Sequence, residues 1–156
     1  MKLTLIALSH KIEPWAQEAT QQFIKRFPPE WKLDIKELKP EDRSSGKPVE
    51  TILALEADRI RAAIPKGSLV VAFDERGKSL RSTQLAEQLL KWHDSGESLC
   101  LVIGSADGLD VKFKAECQAM WKLSDLTLPH ALVRVLAAEA LYRAWSIIAG
   151  HPYHRE

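Results

Sequence analysis

Ser68-Leu69-Val70-Val71-Ala72-Phe73-Asp74 is almost continuously apolar and rich in β-branched side chains. A strand of that kind has to be covered on both faces, as central strands of parallel sheets are. Ser98-Leu99-Cys100-Leu101-Val102-Ile103 repeats the pattern. Between the two, Ser82 or Thr83 can cap a helix that runs to about Asp94, with Glu87 and Lys91 four residues apart on one side of it. Working outward, residues 2–8 predict a first strand. Residues 14–27 predict a helix that starts on Pro14, carries Trp15, Ala19, Phe23, Ile24 and Phe27 at helical spacing, and stops at Pro28-Pro29. Residues 31–38 alternate apolar and polar, the period of a half-buried strand. A second helix is expected over 48–64, with Ile52, Leu55, Ile60 and Ile64 inward. Toward the end come a short helix over 111–117, a short strand over 120–123 and a long helix over 131–149 that stops at Gly150. The order βαβαβαβαβα implies an α/β fold with a parallel sheet flanked by helices. Such folds bind ligands outside the carboxyl ends of their strands, which singles out the loops 75–81, 104–110 and 124–129.

The chain has 156 residues, enough for a single domain over 1–156, and 46% of them are apolar. Lys and Arg number 22 against 21 Asp and Glu, a formal charge of +1, which excludes a protein that coats nucleic acid by bulk charge. The longest apolar runs fall well short of about 18 residues, and the amino terminus enters a strand-like run without a signal-peptide pattern, so a cytoplasmic location away from membranes is expected. Cys100 and Cys117 have no zinc spacing and are expected to be buried free thiols in a reducing compartment. The polar run 39–47 reads as a mobile loop, with Lys39, Arg43 and Lys47 as candidate outer contacts.

Four places can carry chemistry. Gly104, directly after a central-type strand, lets backbone approach a ligand, but neither the Walker nor the dinucleotide glycine spacing is present. Leu123-Ser124-Asp125-Leu126-Thr127-Leu128 alternates leucine with small polar residues and suits a flat ligand with polar edges; the same pattern also fits a connector that covers the core. The last helix is apolar nearly all round, except for a stripe of Glu139, Arg143 and Ser146, so it is buried either within the chain or against a second subunit. Arg134, near its start, needs an anionic partner, either a carboxylate or a phosphate. The tail packs His151, Tyr153, His154 and Arg155 together, residue types suited to stacking on a base and pairing with phosphate; no metal site is expected there. A nucleotide-binding module without catalysis would leave that tail idle. A phosphohydrolase would need a carboxylate cluster near Asp74 or Asp107, and no second carboxylate stands at a convincing spacing.

The segments Leu126-Thr127-Leu128-Pro129-His130, Leu132-Val133-Arg134-Val135, Glu139, Leu141-Tyr142-Arg143-Ala144-Trp145-Ser146-Ile147 and the terminal His151-Pro152-Tyr153-His154-Arg155-Glu156 resemble the RlmH family. These are bacterial pseudouridine N3-methyltransferases that act on large-subunit ribosomal RNA. The resemblance extends over the whole chain and is most specific in the last third. It implies a SPOUT-class α/β methyltransferase with a C-terminal trefoil knot, working as a homodimer on the assembled ribosome with S-adenosylmethionine as cofactor. By matching position, the cofactor contacts are Phe73, Gly104, Leu123, Ser124, Asp125, Leu126, Thr127 and Leu128. Either His130 or His154 takes the target proton, Arg143 or Arg155 stabilises developing charge, Tyr153 meets the base, and Arg134 holds an RNA phosphate. Members of the family often carry a second glycine where Ser105 stands; a positive φ there would strain a serine.

Overall fold

The computed structural model describes residues 1–155, and Glu156 of the terminal tail lies outside them. The strands are β1 (Leu3–Leu8), β2 (Leu33–Leu38), β3 (Leu69–Ser79), β4 (Leu99–Ile103) and β5 (Ala119–Lys122). The helices are α1 (Pro14–Ile24), α2 (Val49–Ala63), α3 (Ser82–Asp94), α4 (Val111–Glu116) and α5 (His130–Ala149). The strands form one sheet in the order β2-β1-β4-β3-β5, and every neighbouring pair is parallel. All six residues of β1 and all five of β4 are buried, as their unbroken apolar runs require of strands covered on both faces.

Alternate strand residues serve two cores. Leu3, Leu5, Val71, Leu99, Leu101 and Trp121 face α1, α3 and α5. Ile6, Leu8, Ala72, Cys100 and Val102 face α2 and α4. Cys100 is buried and Cys117 half-buried, and burial pushes their thiols up to about 12 and about 11, so neither is a reactive thiolate near neutral pH.

Three sequence expectations need correction. First, α1 ends at Ile24, and Trp15 is exposed rather than packed; Ala16 and Thr20 are its buried members. Second, residues 75–79 are not a free loop. They continue β3, which pairs with Trp121 twice, through Phe73 and again through Lys78. The intervening residues bulge, and Gly77 permits it: a Cβ there would lie 2.5 Å from the Trp121 carbonyl carbon. Third, the 39–47 segment is pinned. Pro40 is buried, the Glu41 amide donates to Glu56 Oε2 at 2.9 Å, and Arg43 reaches three partners described below. What fixes a segment without apolar anchors is one buried carboxylate that it wraps.

Candidate functional site

A cavity of about 910 Å³ opens outside the carboxyl ends of β3, β4 and β5. Its walls are the β3 bulge, the turn 104–109 after β4, and the run 122–128 that leads from β5 to α5. All eight residues expected to hold a cofactor line it, from Phe73 and Gly104 to the whole of 123–128. Leu126 stands 77% exposed at the mouth, and the Leu126 amide donates to Ser124 Oγ at 2.9 Å, which turns the chain there.

Gly104 is required by space rather than by its dihedral. Residues 105–108 turn back over it, with the Gly108 amide donating to the Ser105 carbonyl at 2.9 Å, and a Cβ on Gly104 would meet the Gly108 oxygen at 2.4 Å. Ser105 is unstrained: among the described residues only glycines have positive φ, and Gly108 takes that role at +86°. Its hydroxyl instead enters a network that joins segments far apart in the chain. Ser105 Oγ donates to Glu56 Oε1 at 2.7 Å and accepts from Arg43 Nη2 at 2.8 Å. Arg43 also pairs with Glu56 Oε2 at 2.6 Å and Asp107 Oδ2 at 3.0 Å. The Glu56 side chain is only 3% exposed. Its signal in the sequence was phase: Ile52, Glu56 and Ile60 recur every four residues, so the carboxylate shares the inward face of α2 with two buried isoleucines.

Two further charges in the wall were also missed. Lys114 pairs with Asp74 at 3.0 Å, and both are largely buried. Burial alone would push the Asp74 carboxyl up; the Arg76 amide and the Lys114 ammonium outweigh it and hold the group below the usual carboxylate range. Lys122 pairs with Asp125 across the 122–128 run.

His130 closes the cavity at the start of α5. Its Nε2–H donates to the Gly104 carbonyl at 2.7 Å, which leaves Nδ1 with the lone pair. Burial, aided by the Arg134 charge, lowers its pKa against the opposing effect of that hydrogen bond, so the ring is neutral at pH 7. Arg134, one turn on, is 2% exposed; it pairs with Glu37 of β2 and donates to Ser9 Oγ at 3.1 Å. Its anion is thus a carboxylate of this chain, and the guanidinium is not displayed to solvent.

The remaining predicted residues gather at the other end of α5. Arg143 donates through Nε to Glu139 Oε1 at 2.9 Å, Tyr153 OH donates to the same oxygen at 3.0 Å, and the guanidinium lies 5.0 Å from the Tyr153 ring centroid. Burial, followed by Glu139, raises the Tyr153 phenol, which stays protonated at neutral pH. The Ser146 hydroxyl gives its proton to the Arg143 carbonyl at 2.6 Å and so accepts from His154 Nδ1–H at 3.3 Å. Arg155 is exposed. Thirteen residues of helix at about 1.5 Å each separate Arg143 from His130 by about 20 Å. Within one chain the two halves of the predicted catalytic set do not meet. Among the described residues there is no cluster of three or more His, Cys, Asp or Glu fit to hold a metal, and no helix is long and apolar enough to cross a membrane.

Comparison with known proteins places this arrangement. A family model described as "Predicted SPOUT methyltransferase" matches residues 1–154. The chain is 50% identical over 155 residues to the Ribosomal RNA large subunit methyltransferase H of Ralstonia pickettii, covering 99% of each protein. It is 53% identical to the protein of that name from Paracidovorax citrulli over the full length of both. Among solved structures it resembles a protein described as a methylase family member from Neisseria gonorrhoeae (TM-score 0.55, 13% identity, 98% of this chain and 95% of that one). It also resembles TrmJ from Z. mobilis (TM-score 0.55, 14% identity, 92% and 70%). At those identities the structural likeness bears on the fold alone.

Proposed function

The chain belongs to the SPOUT methyltransferases, in the family of the Ribosomal RNA large subunit methyltransferase H proteins, and on that premise we propose that it moves the methyl group of S-adenosylmethionine to N3 of a pseudouridine in large-subunit ribosomal RNA. The single observation that carries this reading is the 910 Å³ cavity whose wall is the 123–128 run, in a chain half identical over its full length to enzymes of that name. The residues fit the donor. Phe73, Leu123 and Leu128 offer apolar faces to an adenine, and Gly104 admits close backbone approach. The Asp74–Lys114 and Lys122–Asp125 pairs supply both signs of charge for a zwitterionic amino-acid end and a sulfonium.

The donor supplies a methyl already activated on a sulfonium, so a carbon–sulfur bond breaks as the carbon–nitrogen bond forms and one proton leaves N3. The protein has to align the partners, an effect worth up to about 7–11 kcal/mol of barrier, and accept that proton. His130 holds the Gly104 carbonyl and so positions the donor loop. His154 takes the proton, while Arg143 and Arg155 stabilise charge developing on the base carbonyls and Tyr153 contacts the base.

A second copy of the chain completes the site. Leu132, Val135, Leu136 and Ala140 are only half-buried within one chain, and the line through Leu132 and Leu136 continues along α5 into Glu139 and Arg143. If two α5 helices pack antiparallel about a two-fold axis on this face, the Arg143–Tyr153–His154 cluster of one lies beside the donor cavity of the other. The C-terminal trefoil knot, the assembled ribosome as substrate and the cytoplasm as location complete the reading. Transfer of labelled methyl from S-adenosylmethionine to ribosomes that lack the modification tests it. Incorporation at a single pseudouridine is expected, and ribosomes left unlabelled by active-site-intact dimer would overturn it.

A further inference from the structure

A second cavity of about 550 Å³ lies beside the first. It sits at the carboxyl ends of β1 and β4, where the strand order β2-β1-β4 turns from one side of β1 to the other. This is the switch-point crevice in which open α/β sheets ordinarily bind their ligands. The donor cavity lies further along the sheet, over β3 and β5, and leaves that crevice to another occupant. The two cavities adjoin at the turn Ser105-Ala106-Asp107 and at His130, which line both. The Arg43 guanidinium braces that turn through Ser105 and Asp107.

Its lining combines flat apolar surfaces, Ile12, Pro40 and Ala131, with the Ser9 hydroxyl and Arg134 at depth and Lys11 and His10 exposed at the rim. The two carboxylates that border it are engaged: Asp107 by Arg43, and Glu13 by the Trp15 indole N–H at 2.6 Å. Apolar walls around a polar floor, with cationic side chains at the rim, fit a planar ring carrying a phosphate.

We infer that this cavity is the subsite for a nucleotide of the RNA acceptor, base inward against Ile12, Pro40 and Ala131 and phosphate toward Lys11 and His10. The inference rests on the methyltransferase reading in one respect: an acceptor has to come within bonding distance of a methyl held in the first cavity, and this is the adjoining space, about the size a single nucleotide needs.

Two measurements on the full chain test it. Uridine 5′-monophosphate is titrated while backbone amide shifts are followed. Movement at Ile12 and Ala131 that Ile12→Trp abolishes is expected. Shifts confined to Gly104 and Leu126, or no shifts, overturn the subsite. In methyl transfer to unmodified ribosomes, Ile12→Trp and Lys11→Glu are expected to raise the KM for the acceptor about tenfold while S-adenosylmethionine binding by calorimetry stays within about twofold. An unchanged acceptor KM, or donor binding lost in step with it, overturns the proposal. So does light scattering in which Ile12→Trp alone turns a dimer into a monomer, because the cavity would then house the second copy. If the wild-type chain labels no ribosomes while the mononucleotide still seats at Ile12 and Ala131, the methyltransferase reading falls and the nucleotide subsite stands.

Discussion

Glu56 is a charge with almost no access to water, and three separate segments depend on it: α2 carries it, the 39–47 segment wraps it, and Ser105 of the turn after β4 binds its second oxygen. Removing one member of a buried ion pair leaves the other unmatched, which costs more than the pair itself contributes. Glu56→Gln keeps the shape and loses the charge. It is expected to lower stability by about 2–4 kcal/mol in urea unfolding and to raise the KM for S-adenosylmethionine more than it lowers kcat, because the loop it holds lines the cavity proposed for the donor. A KM that does not move would reduce Glu56 to a purely architectural role. His130 gives a pH-dependent counterpart. Its folded pKa lies below the ordinary 6.5, chiefly because it is buried, so between the two values the unfolded chain binds more protons than the folded one. Stability therefore rises with pH through that window and is lost as pH falls below about 6.5. His130→Asn is expected to flatten that part of a curve of unfolding free energy against pH; an unaltered slope would mean the ring is not sealed from protons.

At the scale of elements, what was legible followed from burial. The runs of β1, β3 and β4 are apolar because both faces are covered, and that alone made the parallel sheet readable. The extension of β3 through Glu75-Arg76-Gly77-Lys78-Ser79 was not readable. Its side chains are polar because that half of the strand lies at the rim of the cavity, and polar residues around a glycine are also what a loop looks like. The 39–47 segment misled for a related reason: it is held by ion pairs that join residues more than ten positions apart, a kind of order with no local period. Gly77 and Gly104 stand where the backbone of another segment passes too close for any side chain. Gly77→Ala pushes its methyl into the Trp121 main chain, so it is expected to cost about 1–3 kcal/mol and to lower the melting temperature, with the strain released by displacement of β5. Gly104→Ala meets the Gly108 carbonyl and the buried Leu109 side chain, in a turn that Arg43 braces. It is expected to cost a comparable amount and, unlike a purely structural change, to weaken S-adenosylmethionine binding at least about tenfold by calorimetry.

The molecule as a whole has a formal charge of +1, too little to hold an RNA by counterion release, so on the proposed function its selectivity has to come from shape and from the way two copies would meet. On the proposed function, a donor cavity at one end of α5 and an acceptor cluster at the other, about 20 Å away, would be useless in a monomer and complete in an antiparallel pair. Gly104→Ala damages only the donor half of a site, and Arg155→Ala only the acceptor half, so each homodimer is inactive. In a mixed dimer the undamaged donor cavity of one copy meets the undamaged tail of the other, and one of its two sites is whole. Random exchange makes about half the dimers mixed, so denaturing and refolding the two inactive proteins together is expected to restore about a quarter of wild-type methyl transfer. A site assembled within each chain would give none, since no chain in the mixture carries both halves intact. Leu136→Glu, on the half-buried face of α5, is the companion experiment. It is expected to yield a folded monomer by light scattering that still binds S-adenosylmethionine and transfers no methyl, because the donor cavity belongs to one chain and the reaction to two.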